Sequence, residues 1–210
     1  MAATRLLYVM DPMCSWCWGF APVVEALTEQ AARFGVALEL RLGGLRRATG
    51  MALDGQLRQT ILEHWRAVAE TTGQAFRFEG AMPPGFVYDT EPACRALVAA
   101  RALDASALPA LLKGIQQAFY AEGRDVTRTA ELLTLAEAAG LPRQAFAEAF
   151  DAAQAATAAD FAWVDGLGIS GFPTLLAEHK GQFALLTNGY QPLEQLQPLL
   201  GRWLERVAHA

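Results

Sequence analysis

Cysteine and histidine are both scarce in this chain, three of each among 210 residues. Three cysteines cannot build the multi-bridge framework of a small secreted domain, so each must be read on its own. Charge is thin as well. Charged side chains make up 19% of the residues, and 17 basic against 22 acidic groups leave a net charge of −5. That balance argues against a surface for nucleic acid, and Arg46-Arg47 is too short a basic run to change it. Long apolar runs are missing too: the Ala-rich stretches are broken by Arg95, Arg101, Asp104 and Glu137, well short of the roughly eighteen residues of a membrane span. At the N-terminus the apolar stretch Leu6 to Met10 stops at Asp11, too early for a secretory signal core. The expectation is a soluble, cytoplasmic protein with no membrane partner. What the chain does have is apolar residues, 53% of the total, enough for one sizeable core with room for an inserted lobe.

The pattern of those residues changes twice along the chain. Thr4 to Met10 is β-favouring and nearly all apolar and runs into Asp11-Pro12, which reads as a buried strand ending in a turn. Trp18, Ala21, Val24, Leu27 and Ala31 then recur at helical spacing, with Gly35 as a stop before a second strand from Val36 to Leu42. Pro22 falls inside that helix, which predicts a kink there; the alternative is a helix that starts at Pro22. After Gly43-Gly44 only helical stripes follow for about 110 residues. They run through Leu57, Ile61, Trp65 and Val68; Cys94, Leu97 and Val98 behind the cap candidates Asp89 and Thr90; Leu108 to Phe119; Leu132 to Ala136; and Phe146 with Phe150. Asp151 is the cap candidate for a further helix. Near Gly166 the strand period returns, with Thr174 to Ala177 and Gln182 to Thr187 joined by a turn at Glu178 to Gly181, and a last helix runs from about Pro192 through Val207. The fold class is therefore α/β, with residues 1–45 and 155–210 forming one discontinuous domain and 46–154 an inserted helical domain.

Cys14-Ser15-Trp16-Cys17 lies between the first strand and the first helix, the placement that gives a CxxC pair a redox meaning. At a helix N-terminus the unpaired amides and the helix dipole favour a thiolate, so Cys14 is the candidate nucleophile. Cys17, three residues on, lies on the same side of the helix but deeper, and is the candidate resolving thiol. Two other readings exist, half of a zinc site and a structural disulfide. Zinc needs four ligands, and beyond the pair only Cys94, His64, His179 and His209 are available, scattered along the chain. No metal site is expected.

The segment Asp11-Pro12-Met13-Cys14-Ser15-Trp16-Cys17-Trp18-Gly19 resembles the active-site segment of the DsbA family, and most of all its cytosolic FrnE-like branch. Kappa-class glutathione transferases and 2-hydroxychromene-2-carboxylate isomerases are relatives of that branch. The order of elements agrees over nearly the whole chain. The resemblance implies a thioredoxin fold with a helical insertion, and a cis-proline loop facing the cysteine pair, for which Gly171-Phe172-Pro173-Thr174 is the candidate. It further implies that the Phe172 backbone takes an extended substrate segment as an added strand, with Trp16 beside it in an apolar collar. Trp18 is assigned to core packing. The implied activity is thiol–disulfide exchange with a thiol- or disulfide-containing protein or small molecule, with no bound cofactor and glutathione as a co-substrate candidate. The alternative is a glutathione-dependent isomerase or transferase acting on a small aromatic molecule. Those relatives place serine where Cys14 stands, so the intact pair favours dithiol chemistry. Many thioredoxin-fold enzymes also keep a buried acid beneath the resolving cysteine. Here the first strand offers only Leu6 to Met10, and Asp11 falls at the strand end.

Three further signals are set aside. Gly166 to Gly171 fits the G-x-G-x-x-G spacing but neither follows a strand nor opens a helix, as a dinucleotide site requires. Cys94 reads as a small core hydrophobe, the alternative being an auxiliary thiol. His64 is expected at a core boundary, His179 in a turn and His209 at a fraying terminus.

Overall fold

The computed structural model describes residues 4–209. Four strands and eight helices follow one another as β1 (Thr4–Met10), α1 (Ser15–Ala32), β2 (Ala37–Leu42), α2 (Gly55–Thr72), α3 (Glu91–Leu103), α4 (Leu108–Tyr120), α5 (Thr129–Ala138), α6 (Arg143–Ala152), α7 (Gln154–Gly166), β3 (Thr174–His179), β4 (Gln182–Asn188) and α8 (Leu193–Ala208). This is the expected α/β arrangement, with a block of helices inserted between β2 and β3. The sheet order is β2-β1-β3-β4. β1 runs parallel to β2 and antiparallel to β3, with Tyr8 opposite Leu40 on one side and Leu175 on the other. A parallel neighbour needs a crossover, and α1 supplies it.

β1 is the central strand that its apolar sequence implies. Leu6, Leu7, Tyr8, Val9 and Met10 are all buried, so both faces of the strand are covered. Leu6, Tyr8 and Met10 share the main core with α1, where the rings of Tyr8 and Phe20 lie 5.9 Å apart. That contact sets the rotation of α1. Its buried face runs through Phe20, Val23, Leu27 and Ala31, while the expected stripe members Ala21 and Val24 are only half-buried. Pro22 sits inside the helix rather than opening it. α1 packs on α8 on one flank and on α2 on the other. The helix contact with α2 is close enough that a Cβ on Gly19 would come within 2.8 Å of Thr72 and 2.9 Å of Val68.

The inserted helices are stopped and started by local chemistry. Asp54 caps α2 by accepting a 2.7 Å bond from the Leu57 amide, and Gly73 closes it in the left-handed conformation. Asp151 does not cap a helix: it lies within α6, and Ala153 precedes α7. The Phe146 and Phe150 faces are buried, and their packing carries α6 past the polar residue. A buried carboxylate ties the helices to the sheet. Asp160 of α7 accepts from Arg101 of α3 at 2.9 and 3.1 Å, from Arg41 of β2 at 3.2 Å and from the Leu42 amide at 3.3 Å. The histidines differ in part from expectation. His64 is exposed on α2 rather than at a core boundary. His179 ends β3, its Nδ1 2.8 Å from the Thr4 hydroxyl, because strand pairing continues two residues past the expected strand end at Ala177, into the expected turn.

Candidate active site

The apolar run of β1 delivers the chain to Asp11, and the turn at residues 11–14 is closed by the Cys14 amide donating to the Asp11 carbonyl at 3.0 Å. Cys14 is the N-cap residue of α1, in extended conformation, and its carbonyl accepts the first helical bonds from Cys17 and Trp18 at 3.0 and 3.1 Å. The helix therefore begins at the cysteine pair. Cys14 keeps 6% of its surface exposed, whereas Cys17 has none. Both thiols are free and their side chains interact. Burial first, then the neighbouring Cys14, pushes the Cys17 thiol well above the ordinary cysteine range. A sulfur held as the neutral thiol in a closed pocket is no first attacker, which leaves the rim position for the nucleophile.

Across from the pair, the chain enters β3 through a cis peptide between Phe172 and Pro173. The Phe172 carbonyl accepts from Cys14 Sγ at 3.6 Å. The loop is fastened on both sides, by Gly189 N to Pro173 O at 2.7 Å and by the Thr174 hydroxyl to Gly171 O at 2.8 Å. Trp16, Phe172, Gly189 and Tyr190 line a shallow apolar depression of about 270 Å³ beside Cys14. Trp16 and Tyr190 hold each other with ring centres 5.7 Å apart. The structure thus gathers Cys14, Cys17, Trp16, Phe172 and Pro173 in one place. Trp18 turns the other way: it is buried, stacked on Tyr120 at 6.2 Å, with its indole donating to Ala75 O at 3.0 Å.

Several contributors were not evident from sequence. Gly43 lies directly under the Phe172 ring, and a Cβ there would stand 2.0 Å from Phe172 Cζ. Gly43→Ala should therefore push the ring off its seat. We expect the reaction of Cys14 with a peptide disulfide to slow about tenfold and stability to fall by about 2 kcal/mol, read by stopped-flow mixing and by urea unfolding. Unchanged rates would mean that the ring does not position the loop.

Asp11 stands at the strand end, as its sequence position indicates, yet it is fully buried. Its carboxylate accepts from the Met13 amide at 2.7 Å, the Leu45 amide at 2.6 Å and Cys94 Sγ at 3.5 Å. Burial outweighs these bonds and raises its pKa. Its charge also acts on Cys17. An acid does therefore lie near the resolving position, supplied by the turn rather than the strand. Cys94 is buried as expected of a core residue, but its thiol is a hydrogen-bond donor to Asp11. Only the proximity of α3 to this turn reveals that. Tyr88 donates to Met13 O at 2.6 Å and braces the same turn from the helical side. The glycine-rich stretch begins at Gly166, the last residue of α7, and precedes β3, and Gly168 takes a positive φ of 70° in the loop between them.

No helix among the described residues is long and apolar enough to cross a membrane. A provisionally assigned protein disulfide isomerase from Nitrosomonas europaea is 41% identical, with a TM-score of 0.89 over 97% of this chain and 98% of that one. The cytosolic disulfide reductase DsbM from Pseudomonas aeruginosa is 32% identical, with a TM-score of 0.79 over 96% and 99%, and a second structure of it contains GSH. A 2-hydroxychromene-2-carboxylate isomerase, at 15% identity and a TM-score of 0.66, shares the fold alone. Among curated proteins, the ClpXP adapter protein SpxH from Halalkalibacterium halodurans is 27% identical over 149 residues, 65% of this chain. The match spans less than half, 45%, of that relative's length. Residues 5–201 match the DSBA-like thioredoxin domain; with the strand order, the helical insertion and the cis-proline loop in place, the chain belongs to the DSBA-like thioredoxin domain family.

Proposed function

We propose that this protein is a thiol–disulfide oxidoreductase that exchanges disulfides through the Cys14–Cys17 dithiol and acts in the cytoplasm as a disulfide reductase. One arrangement carries the reading: Cys14 opens α1 at the rim, its sulfur on the Phe172 carbonyl, with Cys17 shut away beside it. The Cys14 thiolate attacks one sulfur of a substrate disulfide, forming a mixed disulfide and releasing the other half as a thiol after it takes a proton. Cys17 then attacks Cys14 Sγ, the intramolecular disulfide forms, and the second substrate thiolate leaves and takes up the proton that Cys17 gave up. The substrate gains two electrons and the protein loses two. Two glutathione molecules, oxidised together to glutathione disulfide, return the pair to the dithiol. The structure of the 31% identical DsbM with GSH supports glutathione in that role, and its description as cytosolic supports the compartment.

The substrate is a disulfide-containing protein or small molecule. It lies in the apolar depression against Trp16, Phe172 and Tyr190, with an extended segment along the Phe172–Pro173 backbone as an added strand. No metal takes part in this reading. The test traps the first intermediate. A Cys17→Ala variant incubated with a cysteine-containing peptide disulfide should accumulate a stable adduct, which mass spectrometry of the digested protein locates at Cys14. An adduct confined to Cys94, or none at all, would remove the proposal.

A further inference from the structure

The second half of this reaction makes a thiolate in a place that disfavours it. Cys17 is wholly buried, and its proton must leave before or as its sulfur attacks. The groups that act on Cys17 are Cys14 from its own helix and Asp11 from the turn, through both its backbone and its charge, while Cys17 in turn acts on Tyr8 of β1. The Asp11 backbone favours the anion and the Asp11 carboxylate opposes it. Tyr8 is the remaining polar neighbour. Its ring is fixed between the sheet and Phe20, its hydroxyl is buried without a hydrogen-bond partner, and the titratable groups facing that hydroxyl are Cys17 and Cys14. A buried phenol with no partner is costly unless some state of the protein uses it.

Resting on the reading above, we infer that Tyr8 Oη is the hydrogen-bond donor to Cys17 Sγ during resolution, stabilising the negative charge as the sulfur attacks the mixed disulfide. No proton is transferred from the phenol. It stays protonated throughout, since burial holds its pKa far above neutrality, and the proton lost by Cys17 ends on the released substrate thiol. A donor aimed at a sulfur that becomes anionic is a charge-assisted bond, which is stronger than the neutral bond it replaces. Tyr8 therefore favours the attacking form over the resting thiol. Because the sheet register fixes Tyr8 beside Leu40 and Leu175, the hydroxyl is held in place before the charge appears.

The experiment mixes reduced protein with an equimolar chromogenic aryl disulfide, which releases one coloured thiol on attack by Cys14 and a second on resolution by Cys17. Tyr8→Phe keeps the ring and removes the donor. The first phase should stay within about twofold of wild type, while the second slows about tenfold or more, as expected for loss of one charge-assisted bond. The pH at which the second phase accelerates should rise by about one unit. Protein carrying 3-fluorotyrosine at position 8 keeps both ring and hydroxyl but is the stronger donor, so its second phase should accelerate at lower pH, a shift that packing alone does not produce. If the second phase and its pH profile are the same in all three proteins, Tyr8 has no such role. If wild-type protein shows no first phase, the oxidoreductase reading itself fails and takes this inference with it; a normal first phase with an unaffected second overturns the inference alone.

Discussion

Cys14→Ser should lower disulfide reductase turnover by about a thousandfold or more, leaving the fold and the Cys17 and Cys94 thiols intact. The magnitude follows from the nucleophile. A serine hydroxyl at neutral pH is almost wholly protonated and can form no mixed disulfide, whereas a cysteine sulfur is intrinsically far more nucleophilic and forms one by exchange. Stability should barely move, because Cys14 sits at the rim, its sulfur makes a long 3.6 Å contact to the Phe172 carbonyl, its backbone bonds are untouched by the substitution, and it makes no side-chain cap. The measurement is reduction of a peptide disulfide coupled to glutathione, together with a thermal melt to show that the variant is folded. This substitution also separates the two enzyme classes. A glutathione-dependent isomerase or transferase of the related fold would use glutathione non-covalently, and a serine at this position would then retain activity. Disulfide reduction near the wild-type level would therefore remove Cys14 as the nucleophile. Cys94→Ser is the matched control. It removes a buried thiol that donates to Asp11, so it should cost some stability and leave the exchange chemistry running.

The parts of the site that could be read from sequence are those set by neighbours along the chain. Cys14 and Cys17 are placed by the end of β1 and the start of α1, and a strand followed by a turn and a helix is a local pattern. The Phe172–Pro173 loop was legible through resemblance alone, since nothing in its composition specifies a cis bond or a partner 158 residues away. Gly43 was visible as a break in periodicity but not as the floor beneath Phe172, because that contact depends on the sheet bringing two distant loops together. The same applies to Tyr8. In sequence it is one more apolar position of a buried strand, and only the packing of α1 on the sheet shows that its hydroxyl ends beside Cys17. In α1 the sequence pattern marked the right helix and slightly the wrong face, because the face is chosen by ring contacts such as Tyr8 with Phe20 that no periodicity encodes.

Asp11→Ala should be the most destabilising single change near the site, at about 4 kcal/mol, or a fall in Tm on the order of 8–16 °C for a domain of this size. The carboxylate gathers the Met13 and Leu45 amides and the Cys94 thiol. It thereby joins the end of β1, the loop after β2 and the first turn of α3. Alanine leaves two backbone N–H groups of this turn without an acceptor, and each orphaned donor costs about 1–3 kcal/mol. Asp11→Asn is milder and tests the sign of the electrostatics. Burial raises the Asp11 pKa in the folded protein despite the donors around it. A carboxyl whose folded pKa lies above its unfolded value, about 3.9, contributes its full stabilisation below that unfolded value and loses it as pH climbs through the folded value. Asparagine does not titrate, so it is the reference. The wild-type advantage over Asp11→Asn should be largest near pH 4 and shrink toward neutrality, measured by urea unfolding at a series of pH values. An advantage that grows with pH would mean that the surrounding donors outweigh burial and hold this carboxylate ionised. The charge beside Cys17 would then be a permanent feature of the site, opposing resolution at every working pH and placing a heavier demand on the donor at position 8.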